Sequence, residues 1–101
     1  MTKEAQRIAI AEACGFASIT LEQLPTHAAL RGIVRGRWKW IPDYLSDLNA
    51  MHEAEKVLSD AQLKVMFNYI FTTIPPKHHY WCATAAQRAE AFLRTLNLYT
   101  T

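Results

Sequence analysis

Glycine is scarce in this 101-residue chain, with only Gly15, Gly32 and Gly36. They stand at none of the spacings of a phosphate-cradling loop, which excludes P-loop and dinucleotide-fold nucleotide chemistry. Cysteine is scarcer still, at Cys14 and Cys82; a disulfide-dense secreted scaffold of this size would carry more. No apolar run approaches the roughly 18–20 residues needed to span a bilayer, so no membrane association is expected. Met1-Thr2-Lys3-Glu4 leads into a mixed polar segment without the apolar stretch of a secretory signal. A protein of the reducing cytoplasm with free thiols is expected. Repeats, low-complexity tracts and linkers are absent too, which fits a single domain over residues 1–101.

What is present suits a folded chain: 50% apolar and 20% charged residues, far from the composition of disorder. A chain of this length buries roughly two thirds of its unfolded surface, enough for one core without disulfides. The net charge of +2 implies no partner, but its distribution is uneven. Gln23 to Pro42 holds four cations (Arg31, Arg35, Arg37, Lys39) and no acid, whereas Asp43 to Asp60 holds five acids against Lys56. The plain reading is that the two stretches face or attract one another within the fold.

Local signals predict four helices. Thr2 caps an alanine-rich first helix over about Lys3 to Cys14, ended by Gly15. Pro42 opens a second, about Asp43 to Leu58, with Tyr44, Leu48, Met51 and Leu58 in one stripe. Ser59 and Gln62 form a capping box for a third, whose stripe runs from Leu63 through Met66, Phe67, Ile70 and Phe71 to Ile74, with the end at Tyr69–Ile74 open to an extended form. Thr84 and Gln87 cap a fourth, with Ala85, Ala89, Phe92, Leu93 and Leu96 inward. Phe16 to Leu21 reads as a strand, and Thr26 to Leu30 as one helical turn. Ile33 to Ile41 reads as a tight hairpin or two short strands turning at Gly36, with Trp38 and Trp40 on one face and Arg37, Lys39 and Ile41 on the other.

Ile41-Pro-Asp-Tyr-Leu-Ser-Asp-Leu-Asn-Ala-Met-His-Glu-Ala-Glu-Lys56 resembles the central motif of a family of small phage and prophage proteins, the phage ABA sandwich domain. Ala83 to Leu96 resembles that family's closing helix, and Ile10 to Gly15 its opening. Departures are Phe16, where members have Trp, and Asn97-Leu98-Tyr99, where the usual ending is Gly-Leu-Trp. Leu24–Arg37 and Pro75–Trp81 match nothing in it. The resemblance implies an α+β domain of helix-rich α/β/α sandwich type, with about four helices and a short two- to three-stranded sheet. It implies phage or prophage origin in a bacterial cytoplasm and carries over no catalytic or binding residues.

Three constellations could carry chemistry. Arg31, Arg35, Arg37, Trp38, Lys39 and Trp40 interleave cations with indoles, which suits phosphates and stacked bases; the competing reading is a hairpin with its tryptophan face in the core, and Trp40 in particular as structural. Asp43, Asp47, His52, Glu53 and Glu55 are metal-ligand types, but they spread around the second helix, and His52-Glu53 lacks the second His of the zinc-protease motif. Glu55 falls in the apolar stripe and needs a partner, which points to an internal ion pair of Arg88 with Glu55 or with Asp47. His78, His79 and Cys82 could hold zinc or serve a nucleophile, against an aromatic loop packed on the core. Helices three and four are joined too distantly for a helix-turn-helix.

The expectation is a non-enzymatic accessory protein without a cofactor or metal, acting by binding a host or phage protein. The alternative is a nucleotide or nucleic-acid binder using Arg31, Arg35, Arg37, Trp38 and Lys39. A homodimer covering Tyr69, Trp81 and Tyr99 is a further option.

Overall fold

A computed structural model describes residues 1–73 and 83–100. The N-terminal helix α1 (Lys3–Ala13) starts where the Thr2 hydroxyl accepts the Ala5 N–H at 3.0 Å. It stops at Cys14, and Gly15 leaves the helix at φ 99°, a conformation that suits a residue without a Cβ.

Three strands follow: β1 (Ala17–Gln23), β2 (Ala28–Val34) and β3 (Arg37–Trp40), antiparallel in the order β1-β2-β3. The expected helical turn over Thr26–Leu30 is not formed. Ala28 instead pairs with Gln23 and Leu30 with Leu21, and the connection is closed by the Leu24 N–H donating to the His27 carbonyl at 2.8 Å. Alanine favours helix locally, but ladder pairing and the burial of Leu30, 3% exposed, outweigh that preference. β1 carries a bulge between Ala17 and Thr20, with Ser18 at φ 53°. There it crosses close to Gly32, where a Cβ would lie 3.1 Å from the Ala17 carbonyl and 3.2 Å from Ile19.

The second helix, α2 (Leu48–Glu55), is shorter than expected at both ends. Residues 43–47 form a turn, in which the Asp43 carbonyl accepts from the N–H groups of Ser46 and Asp47. Asp47, rather than Pro42, begins the helix by accepting the N–H groups of Asn49 and Ala50. Leu48, expected in the buried stripe, is 38% exposed; Tyr44 and Leu58 lie outside the helix yet are buried. The third helix, α3 (Asp60–Thr73), has the reciprocal Ser59–Gln62 cap and stays helical through Thr73. Met66 and Ile70 are buried, whereas Phe71 is half exposed.

The last helix, α4 (Ala85–Thr95), opens with the Thr84–Gln87 capping box. It is the element against which α1, α2 and α3 all pack. Its Ala89, Ala91, Phe92 and Leu93 are fully buried, and the two alanines allow close approach. These four helices and the three-stranded sheet make an α+β fold. Leu30, Gly32 and Ile41 turn one face of the sheet to the core shared with Ile10, Met51 and Phe92. Arg7 of α1 fastens the end of β3, donating to the Ile41 carbonyl at 2.8 Å and the Pro42 carbonyl at 3.3 Å.

Candidate functional site

The β2–β3 hairpin closes through Arg35 and Gly36 alone, at φ 52° and 76°. Two successive positive φ values make a primed turn whose twist matches that of the strands. Cross-strand pairing then fixes which side chains share a face. Arg31 pairs with Trp40 and with Thr20, Ile33 with Trp38, and Glu22 with Ala29. Partners in an antiparallel ladder point to the same side, so Trp38, Trp40, Arg31, Ile33 and Glu22 lie together on the face opposite Leu30 and Gly32.

Among the described residues that face is open. Trp38 is 50% exposed and Trp40 54%. The reading of a tryptophan face in the core is therefore corrected. Alternation along β3 divides its side chains between two faces, and burial of Leu30, Gly32 and Ile41 on β2 and beyond decides which one turns inward. Arg35, Arg37 and Lys39 are exposed at the hairpin tip and along β3.

Arg31 is the centre of this surface. Its guanidinium lies over the Trp38 ring, 4.7 Å from the centroid. Its Nε lies 3.2 Å from a Glu22 carboxylate oxygen. The N–H is not aimed at that oxygen, so Nε is buried in ion-pair range without a hydrogen bond. A shallow cleft of about 120 Å³ is lined by Arg31, Trp38, Lys39 and Trp40. Side chains two residues apart on a strand stand about 7 Å from one another, a spacing at which successive unstacked bases can each meet one ring. Glu22 was not anticipated from the sequence; its alternation with Thr20 opposite Arg31 was the available signal.

The basic and acidic segments meet at one cleft, which Arg35 and Glu53 both line, but the direct ion pairs among the described residues run elsewhere. Arg31 pairs with Glu22, whereas Asp43, Glu53 and Glu55 pair with Arg7, Lys56 and Arg88. Glu55 and Arg88 make a bidentate pair, both ends buried, with Nε donating to Oε2 at 2.8 Å and a terminal nitrogen to Oε1. Asp47 is occupied as the α2 cap, so the alternative pair of Asp47 with Arg88 is set aside. Among the described residues no three His, Cys, Asp or Glu side chains converge as metal ligands. His78, His79, Trp81 and Cys82 lie outside the described residues.

Cys14 and Tyr44 line another cleft, of about 480 Å³. Burial pushes the Cys14 thiol up, against a smaller lowering by its hydrogen bond with Tyr44. Burial first, then the neighbouring thiol, pushes the Tyr44 phenol up as well. An activated nucleophile needs the opposite shift. Tyr69 and Tyr99, considered as cover for a second subunit, are engaged within the chain: Tyr69 donates to Glu90 at 2.6 Å, and Arg94 stacks on Tyr99 at 4.3 Å. No described helix is long and apolar enough to cross a membrane.

Comparison with protein-family models, curated proteins and solved structures finds no match.

Proposed function

We propose that the protein is a non-enzymatic binding module and that the open face of its sheet takes single-stranded nucleic acid. The carrying observation is the pair Trp38 and Trp40, half exposed side by side on a face that carries Arg31, with Lys39 lining the same cleft from the sheet edge. Exposed aromatic rings on a sheet stack bases of any sequence, and flanking cations take the phosphates. A duplex hides its base faces and offers its backbone and the base edges in its grooves, neither of which stacks on a ring. On that face Arg31 is offset by Glu22, and the further cations Arg35, Arg37 and Lys39 are exposed at the hairpin tip and along the edge strand, within reach of a strand that runs past it.

The reading is tested by titrating labelled oligothymidylate and a duplex of equal length over a salt series. With three to four phosphate contacts, the logarithm of affinity falls with that of salt at a slope of about −2 to −3, or about 15- to 50-fold between 50 and 200 mM. Replacing Arg35 and Arg37 by Gln flattens the slope by about 1.4. Affinity that is unchanged at low salt in that double variant overturns the reading, as does a preference for duplex.

The second reading is a phage or prophage accessory protein in the cytoplasm of a bacterial host, bound to a host or phage protein. Its setting rests on the resemblance of Ile41–Lys56 and Ala83–Leu96. One observation favours it: β3 is an edge strand, so one line of its main-chain groups faces away from β2 beside two exposed tryptophans. A second copy is a poorer fit at that edge, because Arg37 and Lys39 would meet their own counterparts. Absence of oligonucleotide binding, with the tryptophans still exposed, transfers the preference to a protein partner.

A further inference from the structure

Resting on the nucleic-acid reading, we propose that Glu22 holds the place of a phosphate: the Arg31 guanidinium is a phosphate subsite of the Trp38–Trp40 surface, and the Glu22 carboxylate occupies it until a strand displaces it. Three observations support this. Arg31 is already oriented, because its guanidinium is stacked on Trp38 at 4.7 Å. It borders the cleft between Trp38 and Trp40, so an anion there would sit beside a base on either ring. Its internal partner is poorly matched, at 3.2 Å from Nε but out of line, leaving that nitrogen buried without a hydrogen bond.

The chemistry favours exchange. The side chains of Arg31 and Glu22 are 38% and 40% exposed, and a half-exposed ion pair contributes little stability. A phosphodiester presents two non-bridging oxygens sharing one negative charge, which match the guanidinium fork, a stronger contact than one misaligned carboxylate oxygen. Among the described residues the Glu22 carboxylate has Arg31 as its ion-pair partner, and its side chain is 40% exposed, so it can turn to solvent when the phosphate arrives. In the free protein the carboxylate masks the central cation of the surface and disfavours weak anions.

The test is a fluorescence-anisotropy titration of labelled oligothymidylate with wild type, Glu22→Gln, Arg31→Gln and the double variant, over a salt series. Melting curves check that each folds. Glu22→Gln is expected to bind about two- to fivefold tighter, with a salt slope steeper by about 0.7. In the Arg31→Gln background the Glu22 substitution is expected to change nothing. A gain of equal size in that background overturns the subsite, because the carboxylate then acts only as a distant charge. Unchanged or weaker binding by Glu22→Gln overturns it too, while leaving strand binding by the wild type intact. Failure of both the wild type and Glu22→Gln to bind removes the underlying reading and the subsite together. A second readout is the Arg31 Nε–H resonance, expected to move on strand binding; an unmoved resonance in the bound protein also overturns the proposal.

Discussion

Arg88→Met removes one half of the ion pair that joins α2 to α4. Arg88 is 4% exposed and Glu55 6%. The substitution keeps most of the side-chain volume and deletes the charge, so Glu55 is left buried without its two guanidinium donors. Breaking a buried pair from one side costs about 3–5 kcal/mol, against a total of about 5–10 kcal/mol for a domain of this size. Each kcal/mol lowers Tm by about 4–8 °C in a chain this short, so the variant should melt more than about 12 °C below wild type. Urea unfolding by circular dichroism gives the same quantity as a fall in midpoint at nearly constant slope. A companion variant, Glu55→Leu with Arg88→Met, separates the pair's own contribution from the penalty of an orphaned charge. It should regain most of the loss, since apolar replacements of buried pairs are often neutral. An Arg88→Met midpoint within about 0.5 kcal/mol of wild type, the level of an ordinary surface change, would refute the role assigned to the pair.

Gly32→Ala should destabilise by about 1–3 kcal/mol, because its Cβ would meet the Ala17 carbonyl at 3.1 Å and Ile19 at 3.2 Å; an unshifted urea midpoint would contradict the close crossing of β1 and β2. Thr84→Ala should cost about 1 kcal/mol through loss of the α4 cap, measured the same way, and a cost near zero would count against it. The Glu90 carboxyl is held below its ordinary range, first by the hydrogen bond from Tyr69. A carboxylate depressed in this way adds stability above its unfolded pKa of about 4.3 and loses it as pH falls through the lower folded value. Tyr69→Phe should therefore flatten the decline in stability below about pH 4.3, and coincident pH profiles for the two proteins would be the contrary result.

Local chemistry made much of the helical framework legible. Thr2, the Ser59–Gln62 pair and the Thr84–Gln87 pair act within one turn of chain, so their capping follows from spacing alone. Glu55 drew attention because a carboxylate in an apolar stripe needs a counter-charge, and Arg88 lay at the flank of the other alanine-rich face. The turn at Gly36 was visible for the same local reason. What escaped depends on contacts between distant segments. Ala28 to Leu30 became strand because β1 pairs with it. The start of α2 moved to Asp47 because residues 43–47 form a turn of their own, beside Arg7, whose Nε lies 4.0 Å from Asp43. Alternation on β3 put the tryptophans on one face, but the decision to turn that face outward belongs to Leu30, Gly32 and Ile41. Glu22, ten residues before Gly32 in sequence, enters the surface only through the sheet.

Trp38 and Trp40 are exposed, so replacing them should separate binding from folding. The most direct measurement is the affinity of Trp38→Ala and Trp40→Ala for single-stranded oligothymidylate at low salt, with unfolding midpoints recorded on the same samples. Each substitution should cost at most about 1–2 kcal/mol of stability through lost cross-strand contacts and, for Trp38, the stacked Arg31, leave the protein folded, and weaken binding by about 1–3 kcal/mol, the contribution of one stacked base. Full affinity in both variants would contradict the account, because the two rings would then play no part in holding the strand.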